Sequence, residues 1–305
     1  MPDAINVYRG TPGTLPAAIS NEILQKVKGA SAVMQLARQI PLPGNGAVIP
    51  VITSDPSAAW VAETGKKAVA TPGLSQKTMQ AYKLAVIVPF SDEFKRDRAA
   101  LYNALIERLP GALAQKFDQT VVGAVAKPGE NFDNFAACTA QSLIAASNYT
   151  AYTGLVNAYS DIGAAGGSLD GFALSPAGKG VLLAAVDGNG RPLFINGATE
   201  GTPAVVLGEK VVEGRGIYKA GIAPANASDA GTPAIVGIAG DWSQALWGTV
   251  EGVQIKISDQ TGLTIGSDQV NLWEHNMFAV RAEIEVGFVA NTACFNLLTG
   301  ATPAS

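Results

Sequence analysis

The segment TSDPSAAWVAETGKKAVATPGLSQKTMQ, residues 53–80, and the segment VPFSDEFKRDRAALYNALIERLPGALAQKFDQTVVGA, residues 88–124, decide how the rest of the chain is read. The first has no apolar run able to form a core of its own. The second carries a long helical repeat. An excursion as long as the first is uncommon inside a compact domain unless it serves an interaction, and an isolated two-stranded ribbon is marginal in water. The pair therefore predicts an arm followed by a spine, with the arm stabilised by neighbouring copies of the same chain. Trp60, Val61 and Ala62 stand opposite Ala68, Val69 and Ala70 across ETGKK, which predicts a hairpin whose tip carries Lys66 and Lys67. The stretch YKLAVIVPF, residues 82–90, is expected to be the return strand. Ser91 is expected to cap the spine, with Asp92 and Glu93 in its first turn.

The spine is predicted from about Ala99 to about Gly123. Leu101, Leu105, Leu109, Leu113 and Phe117 recur every four residues, and Ile106 and Val121 widen that stripe. Asn103, Glu107, Arg108, Gln115 and Asp118 are expected to stay wet. Pro110 is expected to kink the helix, since it removes one backbone hydrogen bond and crowds the preceding turn.

Working outward, residues 1–18 are rich in Pro, Gly and Thr and read as an extended arm. Ser20 then caps a predicted helix, SNEILQKVKGA, with Glu22 in its first turn and Gly29 near its end. SAVMQLARQI and AVIPVIT, separated by PLPGNG, are predicted strands. KPGENFDNF, residues 127–135, marks a boundary. Beyond it come a predicted helix TAYTGLVNAYSDIG, a second helix around GKGVLLAAV, and a tight turn in DGNGRPLF. Strand candidates follow in AVVLGEKVV, AIVGIAG, ALWGTVEGVQIKIS and MFAVRAEIEVGFVANTACFNLL. The class is α+β.

With 305 residues and 48% hydrophobic content, the chain can fill a substantial core. Only 15% of residues are charged, so much of the surface must be small or uncharged, as suits broad burial against partners. The net charge of −4 is unevenly spread. Residues 1–135 carry 14 basic and 11 acidic side chains, or +3, whereas residues 136–305 carry 7 and 14, or −7. Such halves can register head-to-tail contacts. No Lys/Arg-rich run provides the clustered phosphate neutralisation of a nucleic-acid grip. Cys138 and Cys294 have neither a second Cys nor a His nearby and read as buried thiols. No segment approaches the roughly 18 apolar residues of a membrane span, MPDAINVYRG has no apolar run behind a charged region, and a reducing cytoplasm without a signal peptide is expected.

PFSDEFKRD leading to FDQTVVGA, then GFALSPAGKGVLLAAVDGNGRPLF, GDWSQALWGTVEGVQIKIS and FAVRAEIEVGFVANTACFNLLTG follow in an order and spacing that resembles the major capsid proteins of tailed bacteriophages, with the Hong Kong 97-type fold. The resemblance runs from about Leu15 to Leu298. It implies an N-terminal arm and short helix over 1–30, and a peripheral domain over 31–52 and 81–135. It further implies an extended loop over 53–80, an axial domain over 136–265, and return strands of the peripheral domain over 266–305. The chain lacks the long helical N-terminal scaffolding segment of the founding member, so scaffolding is expected either to have been removed or to be a separate protein. The implied function is self-assembly into hexamers and pentamers of an icosahedral head around double-stranded DNA, with separate scaffolding, portal and decoration proteins as partners. The implied place is the virion, assembled in the bacterial cytoplasm. Expected intersubunit contacts are Trp60, Glu63, Lys66, Lys67, Lys77, Arg96 and Arg98. Some relatives join Lys to Asn between subunits, for which Lys66, Lys67 or Lys77 and Asn291 or Asn296 would be the candidates.

Catalytic readings are weaker throughout. His275 is the sole histidine, and GGSLDG around Ser168 has Asp170 where a nucleophile elbow needs glycine. SPAGKG around Lys179 fails as a phosphate loop, with Ala173 in place of the first glycine and Gly180 in place of Ser/Thr. Asp241, Glu251, Asp259 and Asp268 do not have calcium-loop spacing. Glu283 and Glu285 share one strand face, where exposed polarity is commoner than paired acid–base work. Trp242 and Trp247 read as core, and Trp60 as an intersubunit contact. No enzyme activity, cofactor or metal is expected. The alternatives are an encapsulin-like compartment shell and, less favoured, a cytosolic mixed-sheet enzyme.

Overall fold

The computed structural model describes residues 17–54, 58–61, 63, 66–67, 69, 73–93, 98–144, 150–187, 189–194, 205–226, 230–260, 262–265 and 268–303. The N-terminal arm, up to residue 16, lies outside them. Helix α1 runs Ala17–Ala30, so Ser20 stands within the helix and does not cap it. SAVMQLARQI is not one strand. Its first half is a short helix, α2 (Ala32–Leu36), and its second is β1 (Arg38–Pro41). The helix wins because Ser31 Oγ accepts from the Met34 N–H at 3.0 Å, while the Asp118 carboxylate accepts from the Ala32 N–H at 3.0 Å.

The spine, α3, spans Arg98–Val121 and continues through Pro110. Leu109, Leu113, Phe117 and Val121 are buried as the four-residue repeat predicts, each contributing roughly 2 kcal/mol of apolar burial. Ser91 does not cap it. That residue ends β4 (Tyr82–Ser91), and its Oγ accepts from the Glu93 N–H before the spine begins.

A five-stranded sheet lies against the spine. Its hub is β14 (Met277–Ala290), a 14-residue strand. On one side β14 pairs with β10 (Ala245–Thr249) and β11 (Gln254–Ser258); β4 pairs with it over Met277 to Val286, and β1 adds parallel to β10. YKLAVIVPF is therefore a strand, but its partner is β14 and not the outgoing strand of the arm. Phe278, Val280, Ala282, Ile284 and Val286 alternate inward on β14, leaving Arg281, Glu283 and Glu285 outward.

The second sheet has six strands in the order β5 (Thr139–Ser142), β15 (Phe295–Thr299), β9 (Ile235–Gly240), β6 (Gly171–Leu174), β8 (Glu209–Glu213) and β7 (Val205–Val206). Helices α4 (Thr150–Ala164) and α5 (Pro176–Ala184) pack on it, both where the sequence predicts them. AVVLGEKVV is a hairpin turning through Leu207 and Gly208, at φ 54° and 88°. The sheets do not follow the expected segment bounds: β10 and β11, within 136–265, join the first sheet, and the C-terminal β15 joins the second.

One aromatic cluster ties the two sheets. Phe135 stacks on Phe295 of β15 at 4.4 Å between centroids and meets Phe288 of β14 edge-on at 5.6 Å. Trp242 closes the group at 5.2 Å from Phe295. KPGENFDNF thus contributes Phe132 and Phe135 to the core at the place where sequence composition marks a boundary.

Two ribbons stand outside both sheets: β2 (Ala47–Ser54) with β3 (Gly73–Met79), and β12 (Gly262–Ile265) with β13 (Asp268–Asn271).

Candidate assembly surface

The ribbon β2–β3 is the arm. Its register runs from Ala47 opposite Met79 to Ser54 opposite Gly73, so AVIPVIT is the outgoing strand of the arm itself. Its base is anchored in three ways. Met79, Leu42 and Val289 form a buried cluster. Gly248 and Gly287 let that cluster close, since a Cβ on Gly287 would lie 2.8 Å from the Met79 side chain and one on Gly248 would lie 3.0 Å from that of Leu42. Lys77 then donates to Asp133 at 2.8 Å and to the Ala290 carbonyl at 2.7 Å, and Asp133 also accepts from the Ala290 N–H at 3.1 Å.

Beyond that base, the described residues of the tip are exposed, Val61 at 41%. Trp60 is 104% exposed and Val69 is 89% exposed; Glu63, Lys66 and Lys67 are exposed as well. The expected facing of Trp60–Ala62 and Ala68–Ala70 falls partly outside the described residues, and those that are described carry no strand. Lys77 departs from the expected set, because its ammonium is committed within its own chain as a pin for the arm's base. Arg98 opens α3, and Arg96 lies outside the described residues.

The residues weighed for chemistry are built into the fold. Ser168 donates its N–H to Asp241, and Asp170 accepts from the N–H groups of Trp242 and Ser243. Burial pushes Asp170 up. Hydrogen bonds from Ser243, Ser168 and Gln244 outweigh burial and hold Asp241 below the ordinary carboxylate range. Ser175 caps α5 by accepting from Gly178 N–H, and a Cβ at Gly178 would lie 2.5 Å from the Val236 carbonyl, so the backbone is packed where a phosphate would sit. Lys179 pairs with Glu213 at 2.5 Å. Lys83 sits 3.3 Å from both Glu283 and Glu285, whose hydrogen bonds raise its pKa. Trp242 and Trp247 are buried as read. Cys294 is buried, whereas Cys138 is only half-buried; even so, burial pushes the Cys138 thiol up to about 12. His275 is exposed.

Three features escaped the sequence reading. Asp118, expected wet, is fully buried. Its carboxylate accepts from Ser31 Oγ at 2.5 Å as well as from the α2 backbone, which no local pattern reveals. The ribbon β12–β13 was readable in principle, since GLTI and DQVN bracket a Gly-Ser pair. Trp273, just past that ribbon, is 71% exposed.

The ribbon is anchored at its base and exposed at its tip. The family model described as the phage capsid family matches residues 13–298. The chain belongs to this family. It is 30% identical over 295 residues to "Probable major capsid protein gp17" of Mycobacterium phage L5, covering 92% of this chain and 86% of that one. A second relative of the same description, from Mycobacterium phage D29, is 29% identical over 306 residues, covering 92% and 88%. Among solved structures, one titled Gordonia phage Cozz matches with TM-score 0.67 at 24% identity over 90% of this chain and 87% of that one. One titled Mycobacterium phage Ogopogo matches with TM-score 0.68 at 17% identity over 99% and 97%. The fold is the Hong Kong 97-type capsid fold, and the chain is a structural, shell-forming major capsid protein of a tailed phage rather than an enzyme. A compartment shell is not favoured by these relatives.

Proposed function

We propose that copies of this chain form hexamers and pentamers that close an icosahedral head around double-stranded DNA, each arm reaching onto the neighbouring subunit. The observation that carries the reading is Trp60, wholly exposed at the tip of a ribbon whose base is fixed to the body. Exposed aromatics of this size are stabilised by burial at interfaces. Glu63, Lys66 and Lys67 flank it as charged contacts, with Arg96 and Arg98 near the start of the spine as further ones.

The five-stranded sheet with α3 forms the peripheral domain in this reading, and the six-stranded sheet with α4 and α5 forms the axial domain. Shared aromatic packing makes the two a stiff unit, so curvature is adjusted by arms rather than by bending the body. Separate scaffolding, portal and decoration proteins complete the head, and assembly takes place in the host cytoplasm. The low charged content suits DNA that is enclosed without being gripped.

Electron microscopy of the purified chain, alone and co-expressed with its scaffold, tests this. Rings of six and five or closed shells are expected. A stable monomer under both conditions and across salt concentrations would overturn the proposal.

A further inference from the structure

Resting on the reading of the arm as an intersubunit element, we infer that Trp60 of one copy seats in a specific pocket of its neighbour: the apolar cavity between β4, the C-terminal half of the spine and the loop 125–132. That cavity holds about 160 Å³ and has Tyr82, Phe117, Phe132 and Val125 in its lining, with Lys116 and Thr120 on the spine side. It is the hole for which Trp60 is the knob, and the two lie on different parts of one chain. A heterologous contact of that kind repeats from copy to copy and gives rings where the rotation between copies closes.

Three observations point to Trp60 as the occupant. The cavity is predominantly apolar and aromatic, and a planar indole fills such a space through edge-to-face contacts with the rings that already pack that way there, Phe117 and Phe132 at 6.2 Å and 82°. Lys116 is exposed at the mouth, with no ion pair among the described residues, and can lie over the indole face as a cation–π partner. The charges that travel with Trp60 also match. Glu63 follows it by three positions and complements Lys116, while Lys66 and Lys67 complement the exposed Glu130 on the loop that borders the cavity. The pocket walls are set before any partner arrives: Asn131 N–H donates to the Tyr82 hydroxyl at 3.3 Å, and a Cβ on Gly129 would collide with the Tyr82 ring. Preorganisation of this kind reduces the ordering cost of binding.

The test places the photo-crosslinker p-benzoylphenylalanine at position 60 and irradiates assembled particles. Denaturing electrophoresis separates crosslinked dimers from monomers, and mass spectrometry maps the attachment. Dimers attached within residues 82–84, 116–120 or 125–132 support the inference. Dimers attached elsewhere overturn it while leaving the arm an intersubunit element. Crosslinks confined to one chain, or none in intact shells, overturn both. A charge exchange adds a second readout. Glu63→Lys and Lys116→Glu are each expected to lower particle yield several-fold, and the double variant to restore most of it. Yields for the double variant no better than for the single ones would overturn the pairing of the arm with this pocket.

Discussion

Asp118 shows how one side chain can fasten three segments. It projects from the spine, accepts hydrogen bonds from Ser31 Oγ and the N–H groups of Ala32 and Val33, and is covered by the 214–216 loop, where a Cβ on Gly216 would lie 2.5 Å from the Asp118 Cβ. Burial opposes its charge more strongly than these donors favour it, so its pKa is pushed up to about 7. The folded-state value then exceeds the unfolded value of 3.8. The stabilising contribution is full below about 3.8 and is lost as pH rises through 7. Asp118→Asn keeps an acceptor for the α2 backbone and removes the titration. Denaturant unfolding of unassembled subunits at pH 4.5 and pH 8 is expected to show the parent losing roughly 3 kcal/mol more than the variant across that interval. Equal losses would show that Asp118 does not titrate there. At the arm's base, Lys77→Met removes two hydrogen bonds from a partly exposed ammonium and leaves Asp133 accepting from the Ala290 N–H. Chemical unfolding is expected to show a loss of about 1 kcal/mol. Particle yield is expected to fall further than that figure suggests, because the pin orients the arm.

Among the elements, the spine was the most legible and also carries a testable irregularity. Its repeat is local, and Leu109, Leu113, Phe117 and Val121 face the core as written. Pro110 sits buried inside it without an N–H to give. Pro110→Ala regains that bond and better helix propensity, worth up to about 3 kcal/mol, but vacates part of a packed site. A net gain of about 1 kcal/mol in subunit stability is expected, with a measurable change in shell diameter by electron microscopy. What local pattern could not show was pairing between distant segments. YKLAVIVPF looks like the arm's return because it follows the arm, yet its alternation matches β14, about 195 positions further on. SAVMQLARQI has a strand's composition, and the carboxylate that makes half of it a helix arrives from the spine, 86 positions away. Leu207 adopts a positive φ that its residue type argues against, so the β7–β8 turn gives little sign of itself. The exposure of Trp60 was legible for the opposite reason, because its sequence surroundings offer little core to bury it.

At the scale of the whole molecule, the division between a packed body and an exposed tip predicts that folding and assembly are separable. The body is joined by Phe135, Phe288, Phe295 and Trp242 across both sheets, and none of these lies near residues 58–70 in sequence. Replacing 58–70 by a short Gly/Ser turn leaves the register of β2 and β3, the Met79 cluster and the Lys77 bonds in place. Loop-closure cost varies slowly with length, so the unassembled subunit is expected to change by on the order of 1 kcal/mol. Assembly is a different matter. A buried aromatic anchor at an interface contributes about 2 kcal/mol or more, and on the proposed arm contact a shell would lose one at every subunit. Thermal unfolding of the subunit and particle yield, measured on the same preparation, should therefore diverge: a melting temperature within a few degrees of the parent's, and closed particles absent or fragile. If the subunit unfolds with the tip removed, the tip belongs to the fold; if shells remain as abundant and robust as before, it is not the contact that holds neighbours together.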